Sequence, residues 1–169
     1  MSHDLEILET EPTKPAIASV IWMHGLGADA YDLYSIPSQI GLPETLSIRH
    51  IFPNAPRMPV TINGGTVMRA WYDISGFDSR SQDEKRIRES AKSIECLIDR
   101  ELTRGLSSEH VILAGFSQGG AMALFQGLRY PKLLGGIVCL SGYLPLFETT
   151  SNEISKVGRS VSIFQAHGT

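Results

Sequence analysis

Gly115-Phe116-Ser117-Gln118-Gly119 sets a serine two positions from a glycine on either side. An apolar run, Val111-Ile112-Leu113-Ala114, precedes it, and a helix-like stretch follows from Gly120 to Tyr130, where Pro131 stops it. A serine hydroxyl is a weak nucleophile unless the backbone thrusts it out of a sharp turn, beside groups that stabilise negative charge. Such a strand-to-helix turn forces the serine into an unfavourable backbone conformation. It leaves no room for side chains two residues away, which is where the glycines stand. The helix beginning after Ser117 aims its free N-terminal amides at the same point, where a developing oxyanion would be held. The five-residue pattern alone also fits a glycine-rich turn with a solvated serine. The flanking strand and helix separate the nucleophilic reading from that one.

A hydrolytic serine needs two N–H donors for the oxyanion. The run ending at His24-Gly25-Leu26-Gly27 offers a small-residue loop at the end of a second strand, so Leu26 N–H and Gln118 N–H are the expected pair. Taken alone, that loop could equally be an ordinary tight strand–helix turn. Five histidines are candidates for a general base. His3 lies in a polar N-terminal tail, His110 opens the strand that ends at Ser117, and His50 sits inside a packed run. His24 and His167 follow strands and so belong to the functional rim, though both read as residues that shape loops through hydrogen bonds.

The elements that must position these groups are legible as hydrophobic patterns. Runs 18–24, 46–52, 110–116 and 136–141 are apolar without helical period, and a fifth spans 160–166. Such runs suit strands of a parallel sheet covered on both faces by helices. Residues 82–104 carry Ile87, Ala91, Ile94, Leu97, Ile98 and Leu102 at helical spacing. Ser81-Gln82-Asp83-Glu84 has the form of a capping box, and Gly105 fits a left-handed residue past the helix end. Around Asn63-Gly64-Gly65, residues 60–62 and 66–71 predict a small hairpin. Strands alternating with helices predict an α/β layered domain over residues 1–169.

Composition narrows the partners. With 15 Lys+Arg against 18 Asp+Glu, a net charge of −3 and no basic cluster, the chain is not built for nucleic acid. An apolar content of 42% excludes a disordered chain. Residues 1–14 lack the apolar stretch of a secretory signal, and no run approaches the roughly 20 apolar residues of a membrane span, so a cytoplasmic protein is expected. Cys96 and Cys139 form no C-x-x-C pair and are expected to be reduced and buried. No metal or cofactor is expected: Asp29, Asp32, Asp73 and Asp78 stand at no metal-ligand spacing and read as solvated loop acids, and Met58, Met68 and Met122 as packing residues.

Several further segments align with one family in order: His24-Gly25-Leu26-Gly27, Phe52-Pro53-Asn54-Ala55-Pro56, Asn63-Gly64-Gly65 with Met68-Arg69-Ala70-Trp71-Tyr72-Asp73, and residues 114–123 around Ser117. Gly127-Leu128-Arg129-Tyr130-Pro131, Leu140-Ser141-Gly142-Tyr143-Leu144-Pro145 and Ala166-His167-Gly168 continue the series. Together they resemble the carboxylesterase and acyl-protein thioesterase (phospholipase/carboxylesterase) family of α/β-hydrolases, over nearly the whole chain. The resemblance implies Ser117 as nucleophile, Leu26 and Gln118 amides as oxyanion hole, and an acyl-serine intermediate formed from a short or medium carboxylic ester. Apolar residues of segment 60–71, with Leu26 and Phe116, would line the acyl side.

The same resemblance puts the triad acid just past the position of Thr169 and the histidine about thirty residues further on. The chain therefore reads as an α/β-hydrolase fold shortened by its C-terminal strand and helix, with weak or no activity of its own. Two other readings stay open: a non-catalytic remnant acting by binding, and an acyl-protein thioesterase or lysophospholipase. An uncovered last strand would expose an apolar edge, which predicts self-association.

Overall fold

In the computed structural model, which describes residues 4–43, 45–76 and 82–168, the apolar runs form the heart of a six-stranded sheet. Along the chain its strands are β1 (Ile7–Thr10), β2 (Ala18–Met23) and β3 (Ile48–Pro53), followed by β6 (Val111–Phe116), β7 (Gly136–Leu140) and β8 (Ile163–Ala166). Between them lies a separate hairpin of β4 (Arg57–Val60) and β5 (Thr66–Arg69). The order across the sheet is β1-β3-β2-β6-β7-β8. All neighbours are parallel except β1, which runs antiparallel to β3.

The helices are α1 (Ala30–Tyr34), α2 (Ile36–Gln39), α3 (Glu84–Thr103), α4 (Gln118–Arg129) and α5 (Phe147–Glu153). Alternation along the strands divides the core into two layers. Ile21, Met23, Ile51, Leu113 and Ile137 face the layer filled by α3 and α4, while Val20, Trp22, Phe52 and Ala114 face Ala30 and Leu33 of α1. On α3 the expected stripe of Ile87, Ala91, Ile94, Leu97 and Ile98 is buried. The helix begins at Asp83, whose carboxylate accepts from Arg86 N at 3.1 Å, and Gly105 follows it at φ 100°. Ser81, the cap expected from the sequence, lies outside the described residues.

Four expectations are corrected. The N-terminal segment read as a polar tail contains β1, which has too few apolar residues to show as a strand. It is pinned by charge instead: Glu9 and Glu11 meet Arg49, Arg100 and Arg104, and Arg49 also reaches the fully buried Glu101 at 2.7 Å. Residues 61–63 form a 3-10 turn between β4 and β5, so the hairpin starts at Arg57. Ser160 belongs to another 3-10 turn, and the last strand begins at Ile163. Cys96 is exposed, because it lies off the buried stripe of α3, whereas Cys139 is buried.

The strand order fixes where a site can form. From β2 the chain crosses to β3 on one side, whereas from β6 it moves to β7 on the other. The loops leaving β2 and β6 thus diverge, opening a crevice above the carboxyl ends of these adjacent strands. Ser117 and the 24–29 loop lie at that point.

Candidate active site

Ser117 occupies the single residue between β6 and α4, at φ 53° and ψ −116°. This is a strained conformation for a residue with a side chain. Its neighbours hold it there: Ser117 N donates to Leu140 O at 2.8 Å, and Ser117 O accepts from Ala121 N at 3.0 Å. The two glycines of the pattern are demanded by backbone packing. A Cβ on Gly119 would stand 2.0 Å from the Met23 carbonyl oxygen, and one on Gly115 would stand 2.3 Å from the carbonyl of Gly119. The elbow is wedged so tightly against β2 that no side chain fits at either place. The hydroxyl makes no capping bond to α4 and lines the open crevice.

The loop after β2 meets the elbow closely enough that a Cβ on Gly25 would lie 3.5 Å from Ser117 Cβ. Leu26, Ser117 and Gln118 border the same cavity. Gln118 N, at the first position of α4, has no partner within its helix. Neither it nor Leu26 N donates to another backbone group among the described residues. The structure therefore brings together the serine and the two amides named from the sequence.

Other groups hold this loop in place. Gly27 N donates to Arg69 O at 2.9 Å, tying the loop to β5. His24 is fully buried: its Nε2 accepts from Ala55 N at 3.0 Å, which leaves the proton on Nδ1, 2.8 Å from Gly25 O. Burial, only partly offset by the Gly25 carbonyl, lowers its pKa and favours the neutral ring. Both nitrogens are occupied, so His24 is a structural strut. His50 Nδ1 accepts from Trp22 Nε1 at 3.1 Å, and burial likewise depresses its pKa. His110 stands before β6, at the opposite end of the sheet from Ser117. His167 follows β8, two strands from β6, and meets Gly168 O at 2.9 Å. None of these four is hydrogen-bonded to Ser117, and His3 lies outside the described residues.

The sequence reading missed the side chain of Gln118. It is 2% exposed, its Oε1 accepts from Trp71 N at 2.8 Å, and its Nε2 donates to Tyr72 O at 2.8 Å. The residue whose backbone completes the amide pair thereby clamps the segment after β5 onto the elbow. Trp71 Nε1 adds a bond to His24 O at 2.9 Å. A buried glutamine at the start of α4, beside a Trp-Tyr pair with two main-chain groups to satisfy, was the available signal.

A cavity of about 580 Å³ opens beside Ser117, walled by Tyr72, Ile74, Tyr143, Leu144 and Phe147. Tyr72 OH and Tyr143 OH meet at 2.8 Å across it, and burial pushes ionisation of Tyr72 well above the ordinary phenol range. This corrects the expected lining: Val60, Ala70 and Trp71 are core residues, and Phe116 faces a second cavity with Leu26. Two acids read as solvated are also employed. Asp29 caps α1 through Tyr31 N, and Asp73 receives Thr61 N at 2.7 Å together with the Thr61 hydroxyl. Asp78 lies outside the described residues. Among the described residues, no three His, Cys, Asp or Glu side chains converge as a metal site, and no helix is long and apolar enough to cross a membrane.

Residues 6–169 match the phospholipase/carboxylesterase family. The chain is 39% identical to acyl-protein thioesterase 1 of Schizosaccharomyces pombe, over all of this chain and 75% of that protein. It is 35% identical to the Arabidopsis thaliana carboxylesterase SOBER1, over 89% of this chain and 67% of that one. The crystal structure of SOBER1 superposes with a TM-score of 0.84, covering 90% of this chain and 74% of the other. Against a probable carboxylesterase of Oryza sativa, the chain spans only 57% of the relative's length. A strained serine between two packed glycines, two amides beside it with no backbone acceptor among the described residues, and this similarity along the chain agree: the chain belongs to the phospholipase/carboxylesterase family of α/β-hydrolases.

Proposed function

We propose that Ser117 attacks the carbonyl of a carboxylic ester or thioester whose acyl chain lies in the 580 Å³ cavity. Attack converts the carbonyl oxygen to an oxyanion between Leu26 N–H and Gln118 N–H. Collapse of the tetrahedral species expels the alcohol or thiol and leaves an acyl-serine that water hydrolyses. The observation that carries this reading is the strained Ser117 backbone, with two unengaged amides at the same cavity. The mostly apolar lining, with no charged side chain among the described residues, supports a hydrocarbon acyl group. The thioesterase name of the fission-yeast relative supports thioesters as well as esters.

None of the four described histidines is bonded to Ser117, so none of them takes its proton in this arrangement. Turnover by this polypeptide is then slow, of the order of 10³–10⁴-fold over the uncatalysed reaction, drawn from binding and the amide pair alone. Hydrolysis of p-nitrophenyl butyrate, with Ser117→Ala as control, tests the assignment. Because that residual turnover does not need the hydroxyl, the deciding readout is the acyl-enzyme: a butyryl group recovered by mass spectrometry on another residue, or equally from Ser117→Ala, removes Ser117 from the chemistry. Labelling by a fluorophosphonate reports separately whether the serine is reactive.

Two further features belong to the same proposal. With unpaired cysteines the protein suits a reducing compartment such as the cytoplasm. The edge strand β8 is exposed along its length, with Ile163 and Phe164 facing solvent, so the 169-residue polypeptide self-associates through that edge. Sedimentation of a clean monomer across a dilution series counts against it.

A further inference from the structure

Two cavities meet at Ser117, sharing that residue and Leu26 but differing in the charge of their described walls. Among the described residues the wall of the larger holds no carboxylate or cation, whereas the smaller, about 420 Å³, is bordered by Asp32. A carbonyl oxygen held between the amides of Leu26 and Gln118 leaves two substituents on the reacting carbon, and tetrahedral geometry sends them to different sides of Ser117 Oγ. The apolar cavity suits the acyl chain, since burying methylene groups is favourable and burying a lone charge is not. The smaller cavity is left for the alcohol or thiol.

Asp32 is the charged side chain among the described residues that border this cavity. Asp32 is exposed, and no cation pairs with it among the described residues. Arg69, the cation of the adjoining β5 strand, is held by Glu6 at 2.6 Å and Ala55 O at 3.0 Å. Phe116, 47% exposed, borders the same cavity. A carboxylate beside an accessible aromatic ring is the combination that attracts an ammonium group, by charge and by the ring's negative face.

We infer that the cavity of Asp32 and Phe116 is a leaving-group subsite selecting esters and thioesters whose alcohol or thiol carries a positive charge. A small ammonium alcohol and a cysteine next to a lysine both have this chemistry. The inference rests on Ser117 as the nucleophile. Because Asp32 faces solvent, the result is a preference of about three- to tenfold rather than an absolute requirement, and salt weakens it.

Binding to the full chain bearing Ser117→Ala tests this without turnover. One arm titrates butyrylcholine against its uncharged carbon analogue, 3,3-dimethylbutyl butyrate, by NMR. A second arm titrates an S-butyryl-cysteine peptide with an adjacent lysine against the same peptide with norleucine. The expected result is tighter binding of the cation in at least one arm, with the ratio collapsing toward one on adding Asp32→Asn and reversing on adding Asp32→Lys. The arm that responds identifies the source of the charge. Equal affinities in both arms, a preference that survives Asp32→Asn, or no saturable binding of any ester overturns the inference. Acylation by p-nitrophenyl butyrate, mapped by mass spectrometry on the unsubstituted chain, keeps the two ideas apart: an acyl group on another residue with a charge-dependent titration refutes the nucleophile and not the cation subsite.

Discussion

Replacing Gln118 separates its backbone role from its side-chain role. The side chain is buried and makes two bonds of 2.8 Å, accepting from Trp71 N and donating to Tyr72 O. Gln118→Ala strands both main-chain groups in a dry site, at about 1–3 kcal/mol each, so a loss of about 3–4 kcal/mol is expected. Gln118→Glu keeps the shape and the bond from Trp71 N, but as a carboxylate it turns an acceptor toward the Tyr72 carbonyl. Protonation restores the lost donor. The new carboxyl therefore has a folded pKa above its unfolded value of about 4.3. A raised pKa means stability that is fully present below the unfolded value and lost as pH rises through the folded one. Urea unfolding at about pH 7 and about pH 4.5 should show an Ala deficit that does not move, and a Glu deficit of about 2–3 kcal/mol that shrinks in acid. A Gln118→Glu chain as stable as the parent near neutrality, or one whose deficit ignores pH, refutes the clamp.

Ser117→Gly relieves the strain at φ 53°, ψ −116°. It should raise stability by about 1–2 kcal/mol while abolishing fluorophosphonate labelling, as read by calorimetry and mass spectrometry. Gly119→Ala drives a Cβ to 2.0 Å from Met23 O, a backbone atom that cannot swing aside. Its unfolding midpoint should fall by the equivalent of about 3 kcal/mol or more, and a well-folded, active variant would contradict the packing described. Glu153 is held at a pKa of about 2: burial acts to raise it, but hydrogen bonds from Arg88, Arg129 and Thr149 outweigh that effect. A depressed carboxyl stabilises above its unfolded value near 4.5 and loses that contribution as pH falls from there through about 2. Glu153→Gln should accordingly lower Tm by several degrees near neutral pH, about 1–2 kcal/mol, and by much less near pH 2.

Local information was enough for much of the machinery. The elbow could be read because its requirements act over five residues: a strand must end, a helix must begin, and glycines must stand where a side chain would strike backbone. The central strands were equally plain, since burial on both faces leaves uninterrupted apolar runs. β1 was invisible because an edge strand needs only one partner, and this one is secured by ion pairs to Arg49, Arg100 and Arg104, side chains distant in sequence. Cys96 came out exposed because one residue's step around a helix is about 100°, enough to leave a buried stripe.

The strained turn at Ser117, and the identity of the loop beside it, were thus properties of the sequence alone. Which residues wall the cavity was decided only in three dimensions. Tyr72 and Tyr143 lie 71 positions apart and meet through their hydroxyls, and Gln118 reaches back 46 residues to hold Tyr72. Such contacts depend on the crossing of strands at the centre of the sheet, and no local period or spacing encodes that crossing. His24 shows the same division: its place after a strand indicated a rim position and a loop-shaping role, and only packing against Ala55 and Trp71 settled its burial and its partner. Short-range sterics write themselves into neighbouring residues, whereas the shape and charge of a cleft belong to chain segments that become neighbours only on folding.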